Sequence, residues 1–273
     1  MENVAIMLNT CDKFSDLWPN FFDCLYKFWN PQYKIYLNTE TLEYQDERFE
    51  IIPIHPNKNT PWSNRLHNCV NKIKEDYIIC IEDECLIEEN VNISQIGQAI
   101  NMMNTMPEIA CIHLMHIMPG EVTDNKKYMP FRERIYDYRT LICQQVCLWR
   151  REKWLNYIKP NENPWEYECL GSARGVFNND RFFVVDENEP EVVKYGYGWI
   201  VYRGYWCKEE KERLENKLGL SFDDKKRKIE TRENIDKITN RDPIFYNRLR
   251  VKKAIILLNK KIFHKDYSKY GWN

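Results

Sequence analysis

The stretch Asp76 to Asn92, DYIICIEDECLIEENVN, sets three carboxylates, Glu82-Asp83-Glu84, directly behind an apolar run. Tyr77-Ile78-Ile79-Cys80-Ile81 is β-branched and aromatic, the composition of a buried strand. Unpaired carboxylates are costly to bury, so the acids belong at the strand's end, facing a cleft or solvent. In open α/β sheets, ligands bind outside the carboxyl ends of the strands. Acidic oxygens there suit a hard divalent cation, which in turn holds a phosphate. The competing reading is a solvated strand end before a turn.

A second stretch with chemistry is Asn161 to Arg174, NENPWEYECLGSAR. Pro164 followed by acids has the character of a helix start. Glu166 and Glu168 lie two apart, so on a helix they face different ways. One can point into a cleft as a general base while the other stays in solvent. Two carboxylates serving only the helix dipole are the alternative. Arg65, next to the apolar position Leu66, can carry a guanidinium to a phosphate or sit on the surface.

The elements that must position these groups follow from periodicity. Val4 to Leu8 predicts a first buried strand ending in Asn9-Thr10-Cys11-Asp12. Phe14, Leu17, Trp18, Phe21, Phe22, Leu25, Phe28 and Trp29 recur at helical spacing, predicting a helix from near Asp12 to Asn30-Pro31. Strands are expected at Lys34–Leu37, before Asn38-Thr39-Glu40, and at Glu50–Ile54. Trp62, Leu66, Val70 and Ile73 mark a second helix. The order β-α-β-β-α-β implies a mostly parallel sheet covered by helices. Parallel strands would bring Asn9 to Asp12, Asn38 to Glu40 and Glu82 to Glu84 to one edge.

Downstream, a helix is expected on Ile93, Ile96, Ile100 and Met103, then a strand over Ile109–Met115. Glu121–Arg134 reads as a loop. Tyr136–Trp149 reads as strand, leading into a short helix, Glu152–Ile158. Phe182–Val185 and Val192–Val201 read as late strands, and Lys208–Arg241 as a charged helical pair on the surface. From Phe245 to Asn273 there are eight Lys or Arg against one acid, Asp266. Val251, Ala254, Ile255, Leu258 and Ile262 recur there at helical spacing. Such a basic amphipathic helix suits an anionic membrane surface, or a dock on the body with its basic face outward.

The totals exclude several classes. A net charge of -1 argues against a nucleic-acid binder. Nine glycines, with no GxGxxG and no P-loop, leave no Gly-rich phosphate cradle. The first residues are not a signal peptide, and no apolar run approaches the ~20 residues of a membrane span. The ten cysteines form no CxxC pair, so they are expected as reduced, small hydrophobes of a cytoplasmic protein rather than a zinc site. His113 and His116 are expected in the core or a cleft wall.

Four stretches resemble bacterial glycosyltransferases of the GT-A type found in capsule and surface-polysaccharide loci. They are Thr10–Trp29, Tyr77–Ile87, Leu148–Arg174 and Tyr197–Trp206. Leu148–Arg174 is the most specific, with its Trp, Pro and Glu positions, Trp165 among them. Glu82-Asp83-Glu84 stands where a strict Asp-x-Asp would.

The resemblance implies a Rossmann-like GT-A domain over residues 1–207. Its nucleotide-sugar half is about 1–118 and its acceptor half about 119–207. A charged, helical, basic C-terminal extension occupies 208–273. It implies transfer of a sugar, with inversion, from a nucleotide-diphosphate donor (a UDP-sugar favoured) to a saccharide acceptor. Mn²⁺ or Mg²⁺ would lie on Asp83 first, Glu84 second and Glu82 third. Thr10, Cys11, Asp12, Glu40, Arg65, Glu82 and Trp165 would touch substrate. Glu168 would be the base, with Glu166 the fallback. The basic tail implies a lipid-linked acceptor at the inner membrane face. The residues leave open a sugar-phosphate nucleotidyltransferase or a non-catalytic sugar or nucleotide-sugar binding protein.

Overall fold

The computed structural model describes residues 3–55, 57–117, 122–135, 141–176, 178–196, 199–239 and 243–263. β1 (Val4–Asn9) is apolar up to Leu8 and buried along its whole length. It lies between β2 (Ile35–Asn38) and β4 (Tyr77–Glu82), parallel to both. β3 (Ile51–Ile54) extends the sheet parallel to β2. Beyond β4 come β7 (Cys147–Arg150), β5 (Ile109–His113), β8 (Arg181–Val185) and β6 (Phe131–Glu133). β7 and β6 run against their neighbours, so the eight-stranded sheet is mostly parallel.

Alternation along the strands splits the core into two layers. Ile6, Leu8, Ile79 and Ile81 face one side with α1 (Trp18–Phe28) and α3 (Ile93–Thr105). Ala5, Met7, Ile78 and Cys80 face the other, with α2 (Trp62–Lys72), α4 (Arg151–Tyr157) and α5 (Pro164–Gly175). There Trp149 stacks on Trp154 at 5.3 Å. The result is the expected helix–sheet–helix arrangement of a Rossmann-like domain.

Several boundaries differ from the sequence expectation. α1 begins at Trp18, not near Asp12, where a 3₁₀ turn spans Asp12–Phe14. The Asp12 carboxylate is taken up by the amides of Glu40, Thr41 and Leu42 instead of capping a helix. Tyr136–Trp149 is strand only from Cys147. Its residues 136–140 lie outside the described residues, and both backbone groups of Ile142 bond the Ser172 hydroxyl rather than a neighbouring strand. The loop expected at Glu121–Arg134 contains the edge strand β6, whose Phe131 is fully buried.

Val192–Val201 forms no continuous strand. The amides of Val192 and Val193 both reach the Leu114 carbonyl, and residues 197–198 are outside the described residues. Tyr195 makes an isolated antiparallel bridge with Ile87, and Val201–Tyr202 pairs as β9 in a small sheet with β10 (Tyr205–Cys207) and β11 (Ile229–Glu230).

The expected surface helical pair is α6 (Lys208–Leu218) and α7 (Arg232–Ile238), but the segment between them is not superficial. Arg227 there is buried. It grips Asp16 with Nε and Nη2, each 2.8 Å from a carboxylate oxygen, and donates Nη2 to the Lys13 carbonyl at 2.6 Å. Its guanidinium also lies over Phe14 and Trp206. The last helix, α8 (Pro243–Phe263), lies against α5.

Removing one partner of a buried, two-point ion pair leaves the other charge stranded, at a cost of about 3–5 kcal/mol. Asp16→Ala is therefore expected to lower unfolding free energy by about that amount in urea titrations. A loss under about 1 kcal/mol would mean that solvent reaches Arg227 as freely as a surface pair.

Candidate active site

The carboxyl ends of β2, β1 and β4 meet in register. Asn9 pairs with Asn38 on one side and Glu82 on the other. Their side chains continue the ladder. Asn38 donates Nδ2 to Asn9 Oδ1 at 2.7 Å, and Asn9 donates Nδ2 to Glu82 Oε1 at 2.7 Å. The polar clusters at the three strand ends do converge, and this amide relay is what joins them.

One residue further on, the Thr10 hydroxyl donates to Asp83 Oδ2 and accepts Trp18 Nε1–H at 2.9 Å. Asp83 is almost completely buried. Glu84 is half-buried, and among the described residues no side-chain hydrogen bond or ion pair reaches its carboxylate.

Burial without a contacting cation raises all three acids. Glu82 and Asp83 are held well above the usual carboxylate range by desolvation, against the help of Asn9 and Thr10. Desolvation carries Glu84 to about 7, while the charge of Arg227 pulls the other way. Arg227 also favours charged Asp83, but its fork is already closed on Asp16.

Glu40 and Arg65 stand beside this edge and hold each other. Arg65 Nη1 lies 2.8 Å from Glu40 Oε1 and 3.3 Å from the Thr10 carbonyl. Glu40 Oε2 accepts the Asp12 amide at 2.5 Å. Arg65 is thus buried and paired through Nη1, while its buried Nε has no hydrogen-bond partner among the described residues. Asp12 is spent on the 40–42 turn, which holds its carboxyl below the usual range despite some desolvation. Cys11 is half-buried, and burial pushes its thiol up to about 11, an unreactive state.

The two glutamates of α5 part company as their spacing predicts. Glu166 closes a capping box with Asn163 and pairs with Lys252 of α8 at 2.6 Å. Glu168 turns inward, where its Oε1 accepts the Gln144 amide at 2.7 Å. Desolvation lifts Glu168 to about 7, and its charge reaches Glu82. One turn later, Ser172 holds Ile142, so α5 fastens the 141–146 segment at two points. A crevice between these groups is lined by Asn9, Glu82, Gln144, Trp62 and Tyr167. Trp165 is not among its walls: it is 58% exposed and meets Phe245 of α8 edge-on.

Asp83, Glu84, Glu82, Thr10, Cys11, Glu40 and Arg65 therefore share one edge, and Glu168 approaches it from α5. Glu166 and Trp165 belong to the α5–α8 contact instead. Arg227, Asp16 and Gln144 carry no local sequence signal. The first two lie 211 residues apart, and Gln144 acts through its backbone.

No family model and no curated protein matches this chain. Solved structures do resemble it. S. aureus TarS has a TM-score of 0.50 at 9% identity, covering 98% of this chain and 45% of TarS. Residues 1–349 of TarS, in complex with UDP-GlcNAc, give 0.47 at 10% identity, covering 98% and 74%. The mannosyltransferase PcManGT from Pyrobaculum calidifontis, in complex with GDP-Man and Mn²⁺, gives 0.49 at 9%, covering 99% and 76%. The chain thus spans less than half the length of TarS. The likeness shows the fold: a GT-A, Rossmann-like sheet flanked by helices.

Glu84 and Glu168 have folded-state values of about 7 against 4.5 for an ordinary glutamate carboxyl. The native state then binds their protons more tightly than the unfolded chain. The stability this confers is full below 4.5 and is lost as pH rises through about 7. Melting temperature is expected to fall by several degrees over that window. Glu84→Gln and Glu168→Gln should each flatten the fall; a slope unchanged in both would show their carboxylates to be solvated.

Proposed function

We propose that the chain is a GT-A glycosyltransferase that moves a sugar from a nucleotide-diphosphate donor, a UDP-sugar in our reading, to a saccharide acceptor with inversion. The observation that carries this is the group of buried carboxylates at the carboxyl ends of parallel strands. Their charge is left without a contacting cation, because Arg227 and Arg65 are already paired. TarS, whose fold the chain shares, has been solved with UDP-GlcNAc.

The donor set fits a hard divalent ion, Mn²⁺ or Mg²⁺. Asp83 and Glu84 offer oxygen ligands, and Glu84 has no other partner among the described residues. When bound, such an ion neutralises charge on the departing nucleotide diphosphate. Thr10 orients Asp83, and Asn9 orients Glu82. Arg65 and Glu40 shape the Thr10–Asp12 turn against the nucleotide, with Cys11 in van der Waals contact. Glu168 takes the proton from the acceptor hydroxyl. A folded-state value of about 7 suits a base that must accept a proton near neutrality. In this reading residues 1–118 hold the donor, 119–207 the acceptor, and 208–273 form an extension whose Arg227 braces the donor side.

The acceptor in our reading is lipid-linked, an intermediate of surface polysaccharide at the inner membrane face. α8 supports it. One side docks on α5 through Phe245 and Lys252, with Leu249 buried, while Ile244, Val251, Ile255 and Leu258 are each more than half exposed. Arg248 and Arg250 accompany them. No helix among the described residues is long and apolar enough to cross a membrane. A basic helix with an exposed apolar stripe fits a position on the surface of anionic lipid.

A thermal-shift panel of UDP, GDP, TDP, CDP and CMP, with and without Mn²⁺, tests the donor site. UDP with Mn²⁺ should raise the melting temperature, by mass action worth about 2.7 kcal/mol at a hundred times the Kd, and Asp83→Ala should abolish the shift. Glu168→Gln should keep the shift and lose about 10²–10⁴-fold in transfer. Release of pyrophosphate from a nucleoside triphosphate and a sugar phosphate would instead identify a nucleotidyltransferase. Binding with no turnover of any donor would leave a binding protein.

For the membrane face, the full chain should float with vesicles containing anionic phosphatidylglycerol and not with neutral phosphatidylcholine. Val251→Glu with Ile255→Glu should release it without changing donor binding. Equal flotation of the double variant would remove α8 as the anchor.

A further inference from the structure

All ten cysteines are free, and three of them gather around one histidine. Cys111 and His113 stand two apart on β5, so both side chains leave the sheet on one face. Cys147 on β7 is the cross-strand partner of His113. The ligand atoms of Cys111, His113 and Cys147 all lie within 4.8 Å of one another. A third thiol, Cys143 Sγ, is 3.7 Å from His113 Nδ1 and stands at the edge of that trio rather than inside it, so it closes on an ion by a side-chain adjustment of the 141–146 segment. The sequence spacings are Cys-x-His and Cys-x-x-x-Cys, which is why no CxxC signal marks them.

The imidazole is already set for ligation. Nε2 is 3.1 Å from the Leu141 carbonyl, an acceptor only, so Nε2 carries the proton and Nδ1, 3.7 Å from Cys143 Sγ, keeps its lone pair free for a ligand. A backbone carbonyl in that role is the usual outer support of a metal-bound histidine. His113 is fully buried, which favours the neutral, ligating ring. Tetrahedral zinc with sulfur at about 2.3 Å and nitrogen at about 2.0–2.1 Å spaces its ligands about 3.5–3.8 Å apart, the span of the Cys143–His113 contact.

We propose that Cys111, Cys143, Cys147 and His113 form a structural site for one soft divalent ion of the zinc class. Binding displaces three S–H protons to solvent and leaves three thiolates, one neutral imidazole and the ion, a net charge of −1. The charge of buried Arg134 reaches His113 and Cys143 and opposes that excess. Cys143 is partly exposed and lines the crevice with Cys147, which offers the ion a way in. The ion would tie β5 and β7 to the 141–146 segment, whose Gln144 amide holds Glu168. The site is distinct in ligand chemistry from the oxygen cluster at Asp83, and it does not depend on the sugar-transfer reading.

The test uses the full chain, purified with reductant and without chelator. Zinc by atomic emission should come to one ion per folded chain. Co²⁺ added to chelator-stripped protein should give a thiolate-to-cobalt charge-transfer band and the strong visible bands of tetrahedral geometry. Cys143→Ser should lose the ion or bind it far more weakly, while Asp83→Ala and Cys24→Ser, a buried thiol on the sheet's other face, should retain it. Should the cysteine variant not fold, the wild-type zinc content and cobalt spectrum decide alone. Folded wild-type protein with far less than one ion per chain and no cobalt–thiolate band overturns the proposal. So does an ion lost in Asp83→Ala but kept in Cys143→Ser.

Discussion

Asn9 is the residue on which the site depends. It ends the central strand, and its side-chain amide accepts from Asn38 and donates to Glu82, so that three parallel strands share one hydrogen-bonded edge. An amide is the group that can do both at once: its oxygen only accepts and its nitrogen only donates. With Asn9 and Glu82 fixed in register, the next residues, Thr10 and Asp83, must also meet. The acidic edge is a consequence of strand register more than of any acidic motif.

That register has an electrostatic cost. Three adjacent carboxylates and Glu168 are drawn into a poorly solvated place, and of the nearby arginines only Arg227 offsets this, in part and without contact. Arg65 is absorbed by Glu40 and the Thr10 carbonyl, and Arg227 by Asp16. Both pairs stabilise the walls and leave the acids short of positive charge. Structures hold buried charges when they are paired or when they bind a cation, and an edge that is deliberately unpaired has the character of a binding site.

The C-terminal region does two different jobs. Its first part, with β9 to β11 and Arg227, is bound into the main body close to the acidic edge. Its last helix is attached to α5 by the Trp165–Phe245 contact and the Glu166–Lys252 pair. These contacts explain why the two glutamates of α5 diverge. Glu166 is needed at the helix start and at α8, which leaves Glu168 as the carboxylate turned inward.

Sequence by itself determined the alternating strands and helices, the parallel sheet and the meeting of the strand-end polar clusters. Those depend on apolar period and on the order of elements, which are local. It also located Glu82-Asp83-Glu84 and the opposed Glu166 and Glu168, since helical geometry follows from spacing. Tertiary structure alone decided which groups are spent and which are available. Asp12, Arg65 and Glu166 have the chemistry of ligand contacts, yet each is consumed by partners distant in the chain. Arg227, the 141–146 segment and the gathering of Cys111, His113, Cys143 and Cys147 have no periodic signature, because they arise from contacts between elements far apart in sequence. The strands expected at Tyr136–Trp149 and Val192–Val201 form only in part, at Cys147–Trp149, at the Tyr195–Ile87 bridge and at Val201, for the same reason: elsewhere in them Ile142 bonds the Ser172 hydroxyl and Val192 and Val193 bond the Leu114 carbonyl.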